Sequence, residues 1–136
     1  MTITKGETLN ISSSSENMIE VEKLVDNACD AFNVNEDFYG NILIAVTAAV
    51  NNAMHYGNEG NPNKQIKIAV ESDEKKIKFL VTDEGNGFDY NELPDPTDPL
   101  NIDKPQGTGI FLMKHLADKV EFNNKGKEVL LTFNLN

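Results

Sequence analysis

Two short segments in which apolar residues alternate with polar ones constrain this chain more than any other feature. They span 65–71 and 77–82, and only the polar segment 72–76 separates them. Alternation with a period of two puts the apolar side chains of a strand on one face, and a short polar link joins antiparallel neighbours. The sequence therefore predicts an antiparallel hairpin, one face of which must be covered by a second layer.

The segment before the hairpin predicts one strand and two helices. A candidate strand at 8–11 is followed by a serine run at 12–15, which we expect to cap a helix, and then by apolar residues at helical spacing from 18 to 32. The second helix is predicted to begin at the Asn35 cap and to stop at Gly57. Its middle is rich in alanine, which allows a sheet or a ligand to approach closely.

The segment after the hairpin predicts a long loop, a third helix and a closing strand. Prolines between 91 and 106 argue against a helix there and indicate either a mobile lid or a disordered loop. The third helix is predicted to open at Gly109, with a turn at 123–126 before the last strand. We therefore expect a single α+β domain over 1–136, a two-layer α/β sandwich whose mostly antiparallel sheet carries helices on one face.

Charge and hydropathy exclude several classes of function. Asp and Glu number 22 against 12 Lys and Arg, and the net charge of −10 argues against direct binding of nucleic acid. No segment is apolar enough to span a membrane and the N-terminus lacks a secretory signal, so we expect a cytoplasmic protein. The one cysteine, Cys29, is expected to pack in the core.

Two glycine-rich segments carry candidate chemistry. Asp83 follows a predicted strand, so its carboxylate, beside Gly85 and Gly87, can accept a hydrogen bond from an adenine amine. The segment 106–112 reads QGTGIFL where the long loop becomes a helix, and the free amides of a helix start suit phosphate oxygens. Each pattern alone is also typical of a plain turn or helix start, so the same residues are compatible with a small scaffolding domain that binds no ligand.

A pair of amides near the end of the second helix is a further candidate. Asn51 and Asn52 are adjacent, and burying both without partners would be costly. We therefore expect one of them to contact a ligand. The amide oxygen of Asn52 suits a magnesium ion that also takes phosphate oxygens.

Taken in order, these segments resemble the superfamily of gyrase-type and histidine-kinase-type ATPases. The resemblance rests on the helix asparagine, the DEGNGF and GTG segments and the FLMKHLADKV that follows, and it covers nearly the whole chain. The helix end NNAMHYGN, the proline-rich lid and the closing NNKGKEVLLTF look most like bacterial anti-sigma factors that are serine/threonine protein kinases.

The resemblance implies site residues, cofactors and partners. Asn52 matches a magnesium-binding asparagine and Asp83 an adenine-binding aspartate. The remaining nucleotide-binding positions it implies are Gly85, Gly87, Gly107, Thr108, Gly109 and Ile110. ATP and Mg²⁺ would be the cofactors, and a homodimer would bind a sigma factor and phosphorylate a serine of an anti-anti-sigma protein.

One position departs from the family pattern. Where the family has a glutamate thought to act as general base, four residues before the asparagine, this chain has Ala48. Loss of a base commonly costs about 100- to 10,000-fold in rate, so the alternative is a non-catalytic module in which ATP only gates protein binding. Glu84 stays open as a replacement base, whereas His55 and His115 are expected to lie at the surface or behind the residues that touch the ligand, and not to act as bases.

Overall fold

The computed structural model describes residues 5–73, 75–85 and 105–135. Its main elements are, in order, β1 (Lys5–Ser12), α1 (Met18–Ala31), α2 (Glu36–Asn52), β2 (Gln65–Ser72), β3 (Lys76–Thr82), α3 (Pro105–Leu116), β4 (Lys119–Asn123) and β5 (Glu128–Asn134). Short 3-10 turns precede α1 and β5, at Ser15–Asn17 and Asn124–Gly126, and a π-turn, Ala53–Gly57, extends α2.

The described strands form one five-stranded sheet in the order β1-β2-β3-β5-β4. Every neighbouring pair is antiparallel, and the β2–β3 pair is the hairpin that the alternating segments predict. Val70, Phe79 and Leu131 lie opposite one another on adjacent strands, so their side chains share one face. The α+β, mostly antiparallel architecture expected from the sequence is therefore confirmed.

The core lies between this face of the sheet and the helices. The side chain of Phe79, in the central strand, is fully buried and meets Phe133 edge-on, with ring centroids 6.2 Å apart. The largest side chains under 2 % exposed come from both layers: Phe79, Ile42, Met54, Ile66, Ile68, Ile77, Met113, Leu131, Val21, Val25, Val46 and Val50. None of the helices within the described ranges has the length and apolar character needed to cross a bilayer.

Helix starts agree with the sequence at α2 but not at α1. The Asn35 side chain accepts a hydrogen bond from the Asp37 N–H at 2.9 Å, as predicted for a cap. The predicted serine cap of α1 is wrong, because α1 follows Asn17 and has no side-chain cap hydrogen bond. The hydroxyl of Ser13 instead donates to the Lys64 carbonyl at 2.9 Å. The Ser13 side chain therefore connects the end of β1 to the segment before β2 and does not cap the helix.

The third helix begins four residues earlier than predicted. Pro105, and not Gly109, is its first residue. Proline suits this position because the first helical residue needs no backbone donor and the ring presets its φ angle. Residues 105 and 106 of the predicted lid are therefore helical, whereas 91–104 lies outside the described residues.

The end of α2 is a π-turn. Gly57 ends the helical segment, as predicted, but the Asn58 N–H donates to the Ala53 carbonyl at 2.8 Å, five residues back. Single π-turns inside or at the end of α-helices are often found at functional sites. Gly57 and Asn58 are therefore placed by an unusual backbone geometry that the sequence pattern does not indicate.

Candidate functional site

Asp83 lies directly after β3, at the position predicted for a strand-end carboxylate. Its N–H donates to the Lys127 carbonyl at 2.9 Å, and its Oδ1 accepts a hydrogen bond from the Gly85 N–H at 2.8 Å. The residue is only 7 % exposed. Burial raises the pKa of the Asp83 carboxyl, while the Gly85 N–H and the positive charges of Lys127 and Lys64 oppose that rise. A buried acceptor of this kind favours a ligand that brings a donor to it.

Two glycines pack against this carboxylate so closely that no side chain would fit. An ideal Cβ added to Gly57 would lie 2.3 Å from Oδ2 of Asp83, and one added to Gly85 would lie 1.7 Å from the Gly57 carbonyl oxygen. Neither glycine has a positive φ angle, so the requirement comes from contact and not from backbone conformation. Gly85 is a predicted site residue, whereas Gly57 was predicted only as a helix stop.

The structure distinguishes between the two adjacent amides of α2. Asn51 is exposed, whereas Asn52 is 7 % exposed. Among the described residues, Oδ1 of Asn52 is the buried side-chain polar atom without a hydrogen-bond partner. Buried polar atoms are nearly always paired, so such an atom needs an explanation. Asn52 is therefore the amide that is suited to contact a ligand.

The start of α3 lies against Asn52. An ideal Cβ on Gly109 would be 3.8 Å from Asn52 Oδ1 and 3.9 Å from the Ala48 carbonyl oxygen. Gly107 and Thr108 belong to the first turn of the same helix. The side chain of Ile110 is buried in the core, which leaves its backbone as the part available to a ligand.

The three predicted motifs therefore meet at one end of α2. Asn52 lies beside Gly109 of α3, and Gly57, five residues further along the chain, packs against Asp83 and Gly85. Gly87, the remaining predicted position, lies outside the described residues. The arrangement places a buried carboxylate and a buried amide oxygen beside the N-terminal turns of a helix, whose amide groups suit an anion.

Within the described ranges, the sequence raises three positions for a replacement base: Glu84, His55 and His115. Oε2 of Glu84 accepts a hydrogen bond from the Gln65 N–H at 2.8 Å, so this carboxylate is engaged at the start of β2. His55 and His115 are exposed, as predicted, and the His115 ring stacks on Phe111 with centroids 5.8 Å apart. Nothing at these positions points to proton transfer.

A buried amide that sequence reasoning missed connects the site to the rest of the sheet. Asn58 is fully buried, and its Nδ2 donates to Ser13 Oγ at 2.7 Å and to the Gln65 carbonyl at 3.0 Å. Its Oδ1 accepts a hydrogen bond from the Glu84 N–H at 2.8 Å. The sequence carries no local sign of this role, because the partners of Asn58 come from distant segments.

The described residues offer no cage of protein ligands for a metal. Within 5–73, 75–85 and 105–135, no three His, Cys, Asp or Glu side chains come together. A magnesium ion here would take the Asn52 amide oxygen and oxygens of a bound ligand, a combination that the ion accepts readily. The unpartnered Oδ1 of Asn52 fits this chemistry.

Comparison with known proteins identifies the family. Residues 11–133 match the model of the histidine kinase-like ATPase domain. The chain belongs to the histidine kinase-like ATPase domain family. Membership explains why a helix asparagine, a strand-end carboxylate and a glycine-containing helix start meet in this fold, and it implies ATP as the ligand.

Relatives of this histidine kinase-like ATPase domain carry two kinds of name. It is 29% identical over 90 residues to the serine-protein kinase RsbW of Oceanobacillus iheyensis, covering 62% of this chain and 57% of that protein. It is 37% identical over 84 residues to the anti-sigma F factor of Bacillus cytotoxicus, covering 59% and 56%. It is 35% identical over 97 residues to the serine-protein kinase RsbW of Staphylococcus aureus strain JH9, covering 65% of this chain and 61% of that protein. The match thus spans less than two thirds of each relative, and the resemblance to anti-sigma serine kinases is confirmed.

Proposed function

We propose that this protein is an ATP-binding anti-sigma factor that sequesters a sigma factor and, like the serine/threonine protein kinases it resembles, phosphorylates an anti-anti-sigma protein. It would hold ATP and Mg²⁺ at the C-terminal end of α2. The observation that carries the proposal is the buried Oδ1 of Asn52, which has no hydrogen-bond partner among the described residues and lies beside the start of α3. An unsatisfied acceptor in this position destabilises the ligand-free protein, and it can coordinate a cation when one binds together with phosphate oxygens.

The site residues divide the ligand between them. Asp83 would accept a hydrogen bond from the adenine amine, and Gly85 and Gly87 are the further positions that the family resemblance implies beside the base. Asn52 would contribute its amide oxygen to Mg²⁺, which when bound neutralises part of the phosphate charge. The phosphates would lie at the first turns of α3, where Gly107, Thr108, Gly109 and the backbone of Ile110 would contact them.

The partners in this proposal follow from the names of the relatives. Proteins called serine-protein kinase and anti-sigma F factor match 62% and 59% of this chain, so we infer a sigma factor and an anti-anti-sigma protein as partners. A cytoplasmic homodimer that does not contact DNA directly completes the proposal. The net charge of −10 supports protein partners with basic faces over nucleic acid.

The binding half of the proposal is tested by calorimetric titration with Mg-ATP and Mg-GTP. We expect ATP to bind and GTP to bind weakly, because guanine lacks the amine that faces Asp83. Asp83→Asn should lower ATP affinity by about 10- to 100-fold, the range for a hydrogen bond to a charged group, and should reduce the preference for adenine. Asp30→Asn, on the exposed face of α1, is the matched control for loss of one charge.

Two results would contradict the binding proposal. One is that no nucleotide binds in the presence of magnesium. The other is that Asp83→Asn leaves both affinity and selectivity as they are in the unaltered protein, which would remove the adenine assignment.

A second candidate function is a binding module without kinase activity, in which ATP only controls whether the protein binds its partner. Two observations favour it: position 48 is alanine, and the carboxylate of Glu84 accepts a hydrogen bond from the Gln65 N–H. A methyl group cannot accept a proton from a substrate serine.

Transfer of labelled phosphate from ATP to the cognate anti-anti-sigma protein separates the two functions. If the rest of the site is that of a kinase, Ala48→Glu should raise the rate by about 100- to 10,000-fold. Ala48→Gln, which has the same shape but is not a base, should not. Absence of transfer by Ala48→Glu with ATP binding intact would favour the module and contradict the kinase.

A further inference from the structure

We infer that Gly57 and Asn58, consecutive residues at the end of the π-turn, position the Asp83 carboxylate and thereby set the preference of the site for adenine. Neither residue touches the base in this inference; both act through Asp83. It rests on the proposed function, because a preference for adenine requires that adenine bind beside Asp83.

Gly57 provides the space that the carboxylate occupies. The three atoms nearest to an ideal Cβ at position 57 all belong to the Asp83 carboxyl group: Oδ2 at 2.3 Å, Cγ at 2.5 Å and Oδ1 at 2.8 Å. Contacts below 3.0 Å are essentially never made by a real Cβ, so an alanine here would force the carboxylate to move. The absence of a side chain at Gly57 therefore defines where the carboxylate sits.

The π-turn fixes Gly57 in this place. The Asn58 N–H donates to the Ala53 carbonyl and the Gly60 N–H donates to the Met54 carbonyl, both at 2.8 Å. Met54 is fully buried in the core, so this turn is fixed to the helix layer. The backbone of Gly57 cannot shift to relieve an added methyl group without breaking these contacts.

Asn58 fixes the other side of the carboxylate. Its Oδ1 accepts a hydrogen bond from the N–H of Glu84, the residue that follows Asp83. Its Nδ2 donates to Ser13 and to Gln65, which belong to the β1 and β2 side of the sheet. The peptide after Asp83 is therefore held by a fully buried side chain that is itself held by two other segments.

The position of the carboxylate determines which ligand donor it can meet. Oδ1 of Asp83 already accepts a hydrogen bond from the Gly85 N–H at 2.8 Å, while Oδ2 is the atom closest to the space above Gly57. A buried acceptor that is fixed in one position discriminates strongly against a ligand that lacks the matching donor. A displaced carboxylate loses that discrimination even though its charge is retained.

Titration with ATP and with ITP, which carries oxygen where adenine has its amine, tests this inference. In Gly57→Ala the ratio of ATP to ITP affinity should fall by about 10- to 100-fold, the worth of a hydrogen bond to a charged group. Asn58→Ala should lower the same ratio. Gly40→Ala, in the same helix layer and with nothing within 4 Å of its added Cβ, is the matched control and should leave the ratio unchanged. Circular dichroism at the titration temperature confirms that each variant is folded.

A thermal-unfolding cycle gives a second readout that needs no nucleotide and remains usable if Gly57→Ala binds poorly. Gly57→Ala should lower the unfolding temperature in the Asp83 protein, and at least half of that loss should disappear in the Asp83→Ala background, which lacks the nearest three atoms. Equal losses in both backgrounds would overturn the inference.

The outcomes separate this inference from the proposed function. If the unaltered protein binds ATP with a preference that depends on Asp83, but Gly57→Ala and Asn58→Ala keep that preference, the positioning role is wrong and the proposed function stands. If ATP and ITP affinities fall in equal proportion in both variants, their role is only structural and the inference is wrong. If the unaltered protein binds neither nucleotide, both are wrong.

Discussion

Replacing Asn52 with leucine should make this protein more stable while weakening its hold on Mg-ATP. Asn52 is 7 % exposed, and its Oδ1 has no hydrogen-bond partner in the part of the chain that the structure describes. In the ligand-free protein this atom loses its hydrogen bonds to water on folding and gains none from the protein, which lowers the free energy of unfolding. Leucine has a similar size and no polar atom, so it removes that cost, but it cannot offer an oxygen to a cation.

The size of the effect follows from the burial of that one atom. An unsatisfied buried acceptor costs about 1–3 kcal/mol. Unfolding entropies of about 2.1 cal/mol/K per residue imply that each kcal/mol shifts the unfolding temperature of a chain this size by about 3.5 °C. Asn52→Leu should therefore raise the unfolding temperature of the nucleotide-free protein by about 3–10 °C.

Differential scanning calorimetry without and with Mg-ATP measures both halves of this prediction. Asn51→Leu is the matched control, because position 51 is next to Asn52 but exposed, and the same substitution there makes the same change in helix propensity. The control should change stability by no more than about 0.5 kcal/mol. Mg-ATP should raise the unfolding temperature of the unaltered protein and of Asn51→Leu, and much less that of Asn52→Leu.

Two results would refute the reasoning. If Asn52→Leu is no more stable than Asn51→Leu, then Oδ1 of Asn52 carries no desolvation cost in solution. If Mg-ATP stabilises both variants equally, the amide oxygen contributes nothing to the ligand.

Two further predictions concern ionisable groups. Because burial raises the pKa of Asp83 in the folded state, its contribution to stability is fully present below its unperturbed pKa of 3.8 and is lost as the pH rises through the raised value. Asp83→Asn should therefore gain unfolding temperature relative to the unaltered protein as the pH rises from acid to neutral, and a difference independent of pH would contradict this. Burial, with the negative charge of Asp26, raises the pKa of the Cys29 thiol to about 11, so a thiol reagent at neutral pH should label Cys29 only after denaturant is added. Rapid labelling of the folded protein would show that the thiol is accessible.

Much of the fold was predictable because the signals are local. The alternation in β2 and β3 and the helical spacing in α1 reflect which side of each element is buried, and a chain shows that period without any partner present. The Asn35 cap was predictable for the same reason, since its hydrogen bond reaches only two residues along the chain. The start of α3 was not, because the pattern around Gly109 is equally compatible with a helix that begins at Pro105.

The chemistry of the candidate site was also readable in part. Asp83 and Asn52 were predicted because a strand-end carboxylate followed by two glycines and an amide in an alanine-rich helix are unusual, and the structure places both residues in buried positions. Which of the two adjacent asparagines is buried depended on the rotation of α2 against α3, and that rotation is set by packing.

By itself, then, the sequence determined most of the elements in their order, except β4 and the π-turn, together with the buried face of the β2–β3 hairpin and the residues with unusual chemistry. Each of these follows from neighbours within a few positions. Only the tertiary structure decided how the site is held. Asn58 bonds to Ser13 across 45 positions and to Glu84 across 26, and Gly57 meets Asp83 in the same way. Such contacts depend on how distant segments pack, so no local pattern distinguishes the glycine that ends a helix from the one that seats a carboxylate.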